Sequence, residues 1–202
     1  MKRVYLPLLL CLSLCLSGCG KNTAREKTAL FMQSISQQPH LLFTAQLRCE
    51  YTDRSLDFTL QCESDMEGCQ VTVIAPELIR GIRARVETDA GSLIYDDVTL
   101  DTGPLDDFGL SPMSALPLLL EAMKTAYVDS CWEEAGEYAA MLIPSDHMSI
   151  QLNLDKYTLC PVYAELISDG RVTVFVRFLD WTQERMEHDE RSAKENLGGD
   201  KP

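Results

Sequence analysis

Three kinds of side chain in this sequence could do chemistry: thiols, imidazoles and adjacent carboxylates. Cys11, Cys15 and Cys19 lie near the start, and Cys49, Cys62, Cys69, Cys131 and Cys160 follow. A thiol can attack, ligate a metal or cross-link. Zinc binding needs clustered ligands, and the chain has no C-x-x-C and no grouped histidines, so no metal site is expected. His40, His147 and His188 fall in a turn, a second turn and the charged C-terminal stretch, where a surface residue is expected rather than a base. Two carboxylates flanking a bond could act as acid and base. The pairs at hand, Asp96-Asp97, Asp106-Asp107 and Glu133-Glu134, sit in turn-like segments that usually form a solvated face. There is no G-x-S-x-G elbow, H-E-x-x-H helix, Walker loop or dinucleotide fingerprint. Neither catalysis nor a cofactor is expected.

Cys19 is different, because its surroundings define a reaction. Met1-Lys2-Arg3 is a cationic start, and Val4 to Leu16 is an apolar run interrupted only by Pro7 and Ser13. The run falls short of the ~20 residues a membrane-crossing helix needs, so it reads as a removable export signal. Leu16-Ser17-Gly18-Cys19 resembles the lipobox of bacterial lipoproteins, where small residues admit the signal peptidase and the cysteine sulfur takes a diacylglycerol. The resemblance implies a signal peptide over 1–18, a lipidated tether over 19–24, and a chain held outside the cytoplasmic membrane. Two or more acyl chains, at ~0.8 kcal/mol per buried CH₂, would make the attachment stable. An ordinary signal with a chance cysteine is the alternative.

The remaining length suits one domain. The formal charge is −13, from 18 basic and 31 acidic residues, and it becomes more negative once Lys2 and Arg3 are removed. That balance argues against nucleic acid, which repels an anionic surface.

The elements that must position these residues follow from periodicity. Arg25 to Gln38 has helical spacing with Ala29, Met32 and Ile35 on one side, and Pro39 stops it. Ala45, Leu47, Cys49 and Tyr51 alternate with polar residues, as do Leu56, Phe58, Leu60 and Cys62 after the turn Thr52 to Ser55, so both read as half-buried strands. Pairing across that turn sets Cys49 near Phe58 and Leu47 near Leu60. The next hairpin, around Ser64 to Gly68, sets Cys62 opposite Cys69, Leu60 opposite Val71 and Phe58 opposite Val73. Cys62 and Cys69 are thereby the disulfide candidate, with buried free thiols as the alternative. Strands are expected over Gly81 to Thr88 and Ser92 to Leu100 around Asp89-Ala90-Gly91. A helix from Met113 to Val128 follows, with Ser111 as N-cap, Pro112 at its first position and Leu116, Leu119, Leu120 and Met123 as its apolar stripe. Pro117 could divide it. Strands are then expected over Tyr138 to Ile143, Met148 to Leu154, Thr158 to Ser168 and Arg171 to Trp181, the last two joined at Asp169-Gly170. Residues 182–202 read as a charged, weakly structured tail.

About nine antiparallel strands with helices over one apolar face make an α+β fold. That order resembles the Lol-type family of bacterial lipoprotein carriers and outer-membrane lipoprotein receptors, and the resemblance implies a curved sheet or incomplete β-barrel whose concave face the helices cover. Three segments of the stretch 25–181 carry the likeness: Val71-Thr72-Val73-Ile74-Ala75-Pro76-Glu77-Leu78 entering Gly81, the helix start Leu110-Ser111-Pro112 with Leu116, and the closing Phe178-Leu179-Asp180-Trp181. The resemblance implies an apolar groove for acyl chains, lined here by Leu47, Leu56, Phe58, Leu60, Val71, Val73, Ile82, Ala84 and Val86. A filled core made of those same residues is the alternative, since alternation reports burial and not emptiness. Two departures matter. The family's soluble carrier has an arginine before the loop proline where this chain has Ala75, which weakens a latch-and-release cycle. The receptor has a protruding apolar residue after that proline, and Leu78, with Ile79, is the counterpart, unless it is a buried loop leucine.

The expectation is a membrane-anchored binding protein for a lipid or the acyl part of a lipoprotein. The alternative is a protein-interaction lipoprotein of a Gram-positive envelope, such as an accessory factor for a spore-cortex or germination enzyme. Gly20 lacks the aspartate that retains many Gram-negative lipoproteins at the inner membrane.

Overall fold

The computed structural model describes residues 23–65, 67–86, 91–95, 98–101 and 111–183. The export signal, Cys19, the turn residues Asp89 and Ala90, the acid pairs at 96–97 and 106–107, His188 and the tail beyond residue 183 lie outside the described residues.

Among the described residues, two helices and eleven strands follow one another: α1 (Thr23–Ser36), β1 (Leu41–Glu50), β2 (Ser55–Ser64), β3 (Cys69–Ala75), a 3-10 turn (Glu77–Ile79), β4 (Arg83–Val86), β5 (Gly91–Tyr95), β6 (Val98–Asp101), α2 (Pro112–Thr125), β7 (Tyr127–Glu134), β8 (Glu137–Ser145), β9 (Met148–Asp155), β10 (Pro161–Ser168) and β11 (Arg171–Gln183). The strands form one open antiparallel sheet in the order β6-β5-β4-β3-β2-β1-β11-β10-β9-β8-β7. Each half is a meander of neighbouring hairpins, and β1 beside β11 joins the halves at the centre.

Eleven strands replace the nine expected, and both additions have a physical reason. The stretch read as one strand over 92–100 is two, β5 and β6, paired through Tyr95 and Val98. The helix expected to reach Val128 ends at Thr125, with Ala126 in extended conformation, and Tyr127 onward is the edge strand β7. An edge strand buries little, and a bulge between Val128 and Ser130 breaks its alternation, so no period-two pattern marks it. Pro117 does not divide α2, which is continuous. Its start is as expected: Ser111 Oγ accepts from the Met113 amide at 3.3 Å, and Pro112 follows.

Alternation sets the two faces. In β1, Leu41, Phe43, Ala45, Leu47 and Cys49 are buried while Gln46 and Arg48 are exposed. The inner residues meet α1 and α2. α2 buries Leu116, Leu119, Leu120 and Met123, the stripe expected for it. α1 is rotated from expectation: Ala24, Thr28, Phe31 and Ile35 are buried and Ala29 is exposed. Phe31 brings more apolar area than Ala29, and the face it occupies turns inward. Phe31 meets Trp181, which stacks against Phe43 at 4.9 Å between centroids and meets Phe178 edge-on at 5.5 Å.

Faces were legible, but registers differ by two residues. Cys49 pairs with Leu56 and Leu47 with Phe58, because the loop is Tyr51 to Arg54, closed by the Tyr51 amide donating to the Arg54 carbonyl at 2.8 Å. On the next hairpin Ser64, not Cys62, lies opposite Cys69, and Cys62 pairs with Val71 and Leu60 with Val73. There Asp65 accepts from the amides of Glu67 and Gly68 at 2.8 and 2.9 Å, which tightens the turn. A shift of two keeps every side chain on its face, so the pattern of alternation cannot detect it. The turn at Asp169-Gly170 has positive φ at both residues, as a two-residue hairpin loop requires.

Candidate functional site

The nominated groove residues divide into two groups. Leu47, Leu60, Val71, Val73 and Ala84 are 0–2% exposed and belong to the continuous core, apart from Ala84, which is buried beside Val71 on β4. No room for a water molecule remains beside side chains this closed, so the sheet beneath the helices is filled at these positions. Phe58 and Ile82 are half-buried and pack on the edge of the same core, Val86 is half-buried at the end of β4, and Leu56 is 36% exposed near the β1–β2 loop. Along one inner row, Ala140, Leu152, Ala164, Val176, Leu47 and Phe58 follow in register from β8 to β2. Large residues beside small ones let the helices settle closely onto the sheet.

The outer face carries a groove of about 570 Å³ across β2, β1, β11 and β10. Two registered rows build it. Asp57, Arg48 and Phe175 form one, and Thr59, Gln46, Arg177 and Tyr163 the other. Ala75, opposite Thr59, and Pro76 close one end. The floor is aromatic, with Tyr163 and Phe175 ring centroids 6.5 Å apart. Polar groups around it differ in how they are engaged. Arg48 Nε holds Glu50 at 2.7 Å. Glu50 also accepts from Ser55 Oγ at 2.5 Å, and this hydroxyl first, then Arg48, holds its carboxyl pKa below the usual carboxylate range. The Tyr163 hydroxyl donates to Glu165 at 2.7 Å. Burial first, and that carboxylate second, push the phenol well above its ordinary value, so it stays protonated. Sequence reading missed this groove because its residues are the polar half of each alternation, the half normally assigned to solvent.

From Pro76 the chain enters the 3-10 turn that carries Leu78, which is 90% exposed, while Ile79 packs against the core. Arg80 braces the turn: its Nη2 lies 2.6 Å from Glu77, and its Nε donates to the Ile74 carbonyl at 3.0 Å.

The chemistry-bearing residues take structural places. Cys62 and Cys69 face each other inside the sheet with sulfurs 2.9 Å apart, both as thiols. Burial first, and the Cys69 thiol second, raise Cys62 well above the ordinary thiol value. Cys49 is pushed up to about 11 by burial, helped by the charges of Asp57 and Glu50, so it is a poor nucleophile at neutral pH. His40 lies 3.0 Å from Glu63, and exposed His147 lies 3.7 Å from Asp169. Glu133 pairs with Lys156, and Glu134 accepts from Trp132 Nε1 at 3.2 Å. Among the described residues no three His, Cys, Asp or Glu side chains gather to hold a metal ion, and no helix is long and apolar enough to cross a membrane.

No model of a known protein family matches the sequence, and no curated protein sequence does. Solved structures of similar general shape are distant. A domain from Vibrio parahaemolyticus, described as a candidate outer-membrane lipoprotein-sorting protein, superposes with a TM-score of 0.49 at 11% identity, covering 86% of this chain and 98% of that one. A LolA superfamily protein from Nitrosomonas europaea gives 0.45 at 10% identity over 79% and 94%. A chain in the complex of the CwlD amidase with the GerS lipoprotein from Clostridioides difficile gives 0.38 at 13% identity over 80% and 93%.

Proposed function

We propose that this chain is a non-catalytic lipoprotein, anchored through Cys19 outside the cytoplasmic membrane, that binds another envelope protein through the outer face of its sheet. The observation that carries this reading is the contrast between the two faces. The inner face, where an acyl chain would lie, is closed at Leu47, Leu60, Val71 and Val73. The outer face holds the groove, and beside it Leu78 stands in water on a braced turn. An apolar side chain held out by a braced turn at the rim of a groove is placed to serve as an anchor that a partner covers.

The groove's chemistry describes the matching segment of the partner. Phe175 and Pro76 offer apolar surface, and Arg177, which makes no ion pair among the described residues, offers a cation. A partner segment with an apolar side chain followed by a carboxylate meets both. The formal charge of −13 disfavours nucleic acid and anionic lipid headgroups as the partner.

The test is site-specific photo-crosslinking of the lipidated chain in the cells that make it. A crosslinker in place of Leu78 gives a discrete protein adduct that weakens with Arg177→Ala, whereas one in place of Tyr157, equally exposed but on the β9–β10 loop, does not. In parallel, the purified chain neither carries copurified lipid nor displaces a fluorescent fatty acid. Displacement of the probe, with no adduct at Leu78, would return the protein to the acyl-chain reading.

A further inference from the structure

Among the five thiols in the described residues, Cys62 and Cys69 lie against each other. Their sulfurs lie 2.9 Å apart, closer than the ~3.5–4.0 Å at which even smaller carbon atoms rest unbonded. Cys62 and Cys69 are diagonal neighbours on one face of β2 and β3, since Cys62 pairs with Val71 and Cys69 with Ser64. Sheet twist brings one diagonal pair of side chains together in this way. Only about 0.9 Å of approach separates this contact from the ~2.05 Å of a disulfide. Both residues are buried, Cys62 at 0% and Cys69 at 6% exposure, and each thiol has the other as its hydrogen-bond partner.

We infer that Cys62 and Cys69 form an intrachain disulfide that staples the β2–β3 hairpin, and that it is made as the hairpin folds. Once the core has closed, a buried thiol is neither ionised nor reachable, so the bond must form earlier. The oxidant is a disulfide R–S–S–R, either a thiol oxidoreductase of the export compartment or a small-molecule disulfide. One cysteine thiolate attacks it and expels R–S⁻, leaving a mixed disulfide. The second cysteine thiolate then attacks the protein sulfur and expels the other R–S⁻. Two thiols lose two electrons, the oxidant gains them, and the two protons pass to the released thiolates. The hairpin is local, with six residues between the cysteines and a turn tightened by Asp65, so the two sulfurs meet early. β3 leads directly into Ala75, Pro76 and the turn bearing Leu78, so the staple also steadies the end of the outer groove.

This inference shares with the proposed function only the premise of export, and the experiment separates the two. The full chain is produced with its own signal in a bacterial host, free thiols are alkylated in denaturant without reductant, and the peptides are mapped by mass spectrometry. The expected result is a linked Cys62–Cys69 peptide, with Cys49, Cys131 and Cys160 alkylated. The purified chain is also reduced, unfolded and reoxidised with glutathione disulfide, where the same single linkage is expected. Alkylation of both Cys62 and Cys69 in both arms, or a linkage involving Cys49, Cys131 or Cys160, would overturn the inference. Linkage in the refolded chain but alkylated thiols in the cellular one would uphold the pair's geometry and overturn the export premise.

Discussion

Val71→Phe separates a filled core from an empty groove, because the two give opposite signs. Val71 is fully buried in β3, between Cys62 on β2 and Ala84 on β4, and belongs to the core that α1 and α2 cover. In a filled core the larger ring forces neighbours off their rotamers, at about 1–3 kcal/mol. For a domain of this size each kcal/mol moves the melting temperature by about 2–4 °C, so a fall of roughly 2–12 °C is expected. Were the space beneath the sheet open, the ring would enter it, bury more apolar area and leave stability unchanged or higher. Leu60→Ala is the companion. Leu60 is fully buried between Ala45 and Val73. Its truncation in a packed site costs about 3–5 kcal/mol, transfer plus the new cavity. Beside an existing hole it costs only the transfer of three carbons, about 2.4 kcal/mol. Urea titration with a two-state fit supplies both values, and an unchanged m-value shows that native and denatured states are otherwise alike. A Val71→Phe variant that is at least as stable as the wild type would refute the filled core and with it the choice of the outer face.

Three further outcomes are expected. The proposed Cys62–Cys69 bond closes a loop of only eight residues, so its reduction is expected to cost about 2.5 kcal/mol on the chain-entropy model, and a Cys62→Ala/Cys69→Ala variant melts at the same temperature with or without reductant. Asp155 Oδ1 accepts from the Thr158 amide at 2.7 Å, the Thr158 hydroxyl at 2.9 Å and the Tyr157 amide at 3.0 Å, and these bonds, the Thr158 amide first, hold its carboxyl below the usual range. A depressed folded value means stability that is present above about pH 4 and lost as pH falls through the folded value; acid titration followed by circular dichroism therefore shows a shallower decline for Asp155→Ala, and parallel curves would count against this. Leu78→Ser, at an exposed site, changes stability by less than about 0.5 kcal/mol in thermal melts yet lowers partner capture in a pull-down with the partner identified by crosslinking.

How far the sequence could be read follows from what each signal encodes. Period-two alternation marks which side of a strand is buried, and Leu47, Leu60, Val71 and Val73 were placed on the correct face by it. It is silent on register in steps of two, so both early hairpins were displaced until the real turns, closed through Tyr51 and Asp65, fixed them. It is also silent on strands that bury little, which is why only Tyr127 and Val128 of β7 fall in an expected element, the helix before it, and the rest of the strand in none. The start of α2 was legible because Ser111 and Pro112 act locally. The rotation of α1 was not, since it is set by Trp181, far along the chain, which offers Phe31 a partner.

The choice between the two faces turns on the same distinction. A sheet alternating apolar and polar residues is compatible with an open groove or with a core, and what decides is where the helices stand. α1 lies on β7 and β8 and against α2, while α2 reaches β2, β3 and β4, so together they span the inner face from one wing to the other. Alanines at positions 84, 140 and 164 remove the bulk that would hold helices off the sheet, and Leu119, Leu120 and Met123 of α2 join them in the buried set. Lifting the helices to admit an acyl chain would expose those side chains and Phe31 together, at about 1.5–3 kcal/mol for each large one returned to water. No such cost attaches to the outer groove, whose Gln46, Arg48 and Arg177 are already solvated. A ligand therefore meets the outer face first, unless its own burial more than offsets the opening of the core.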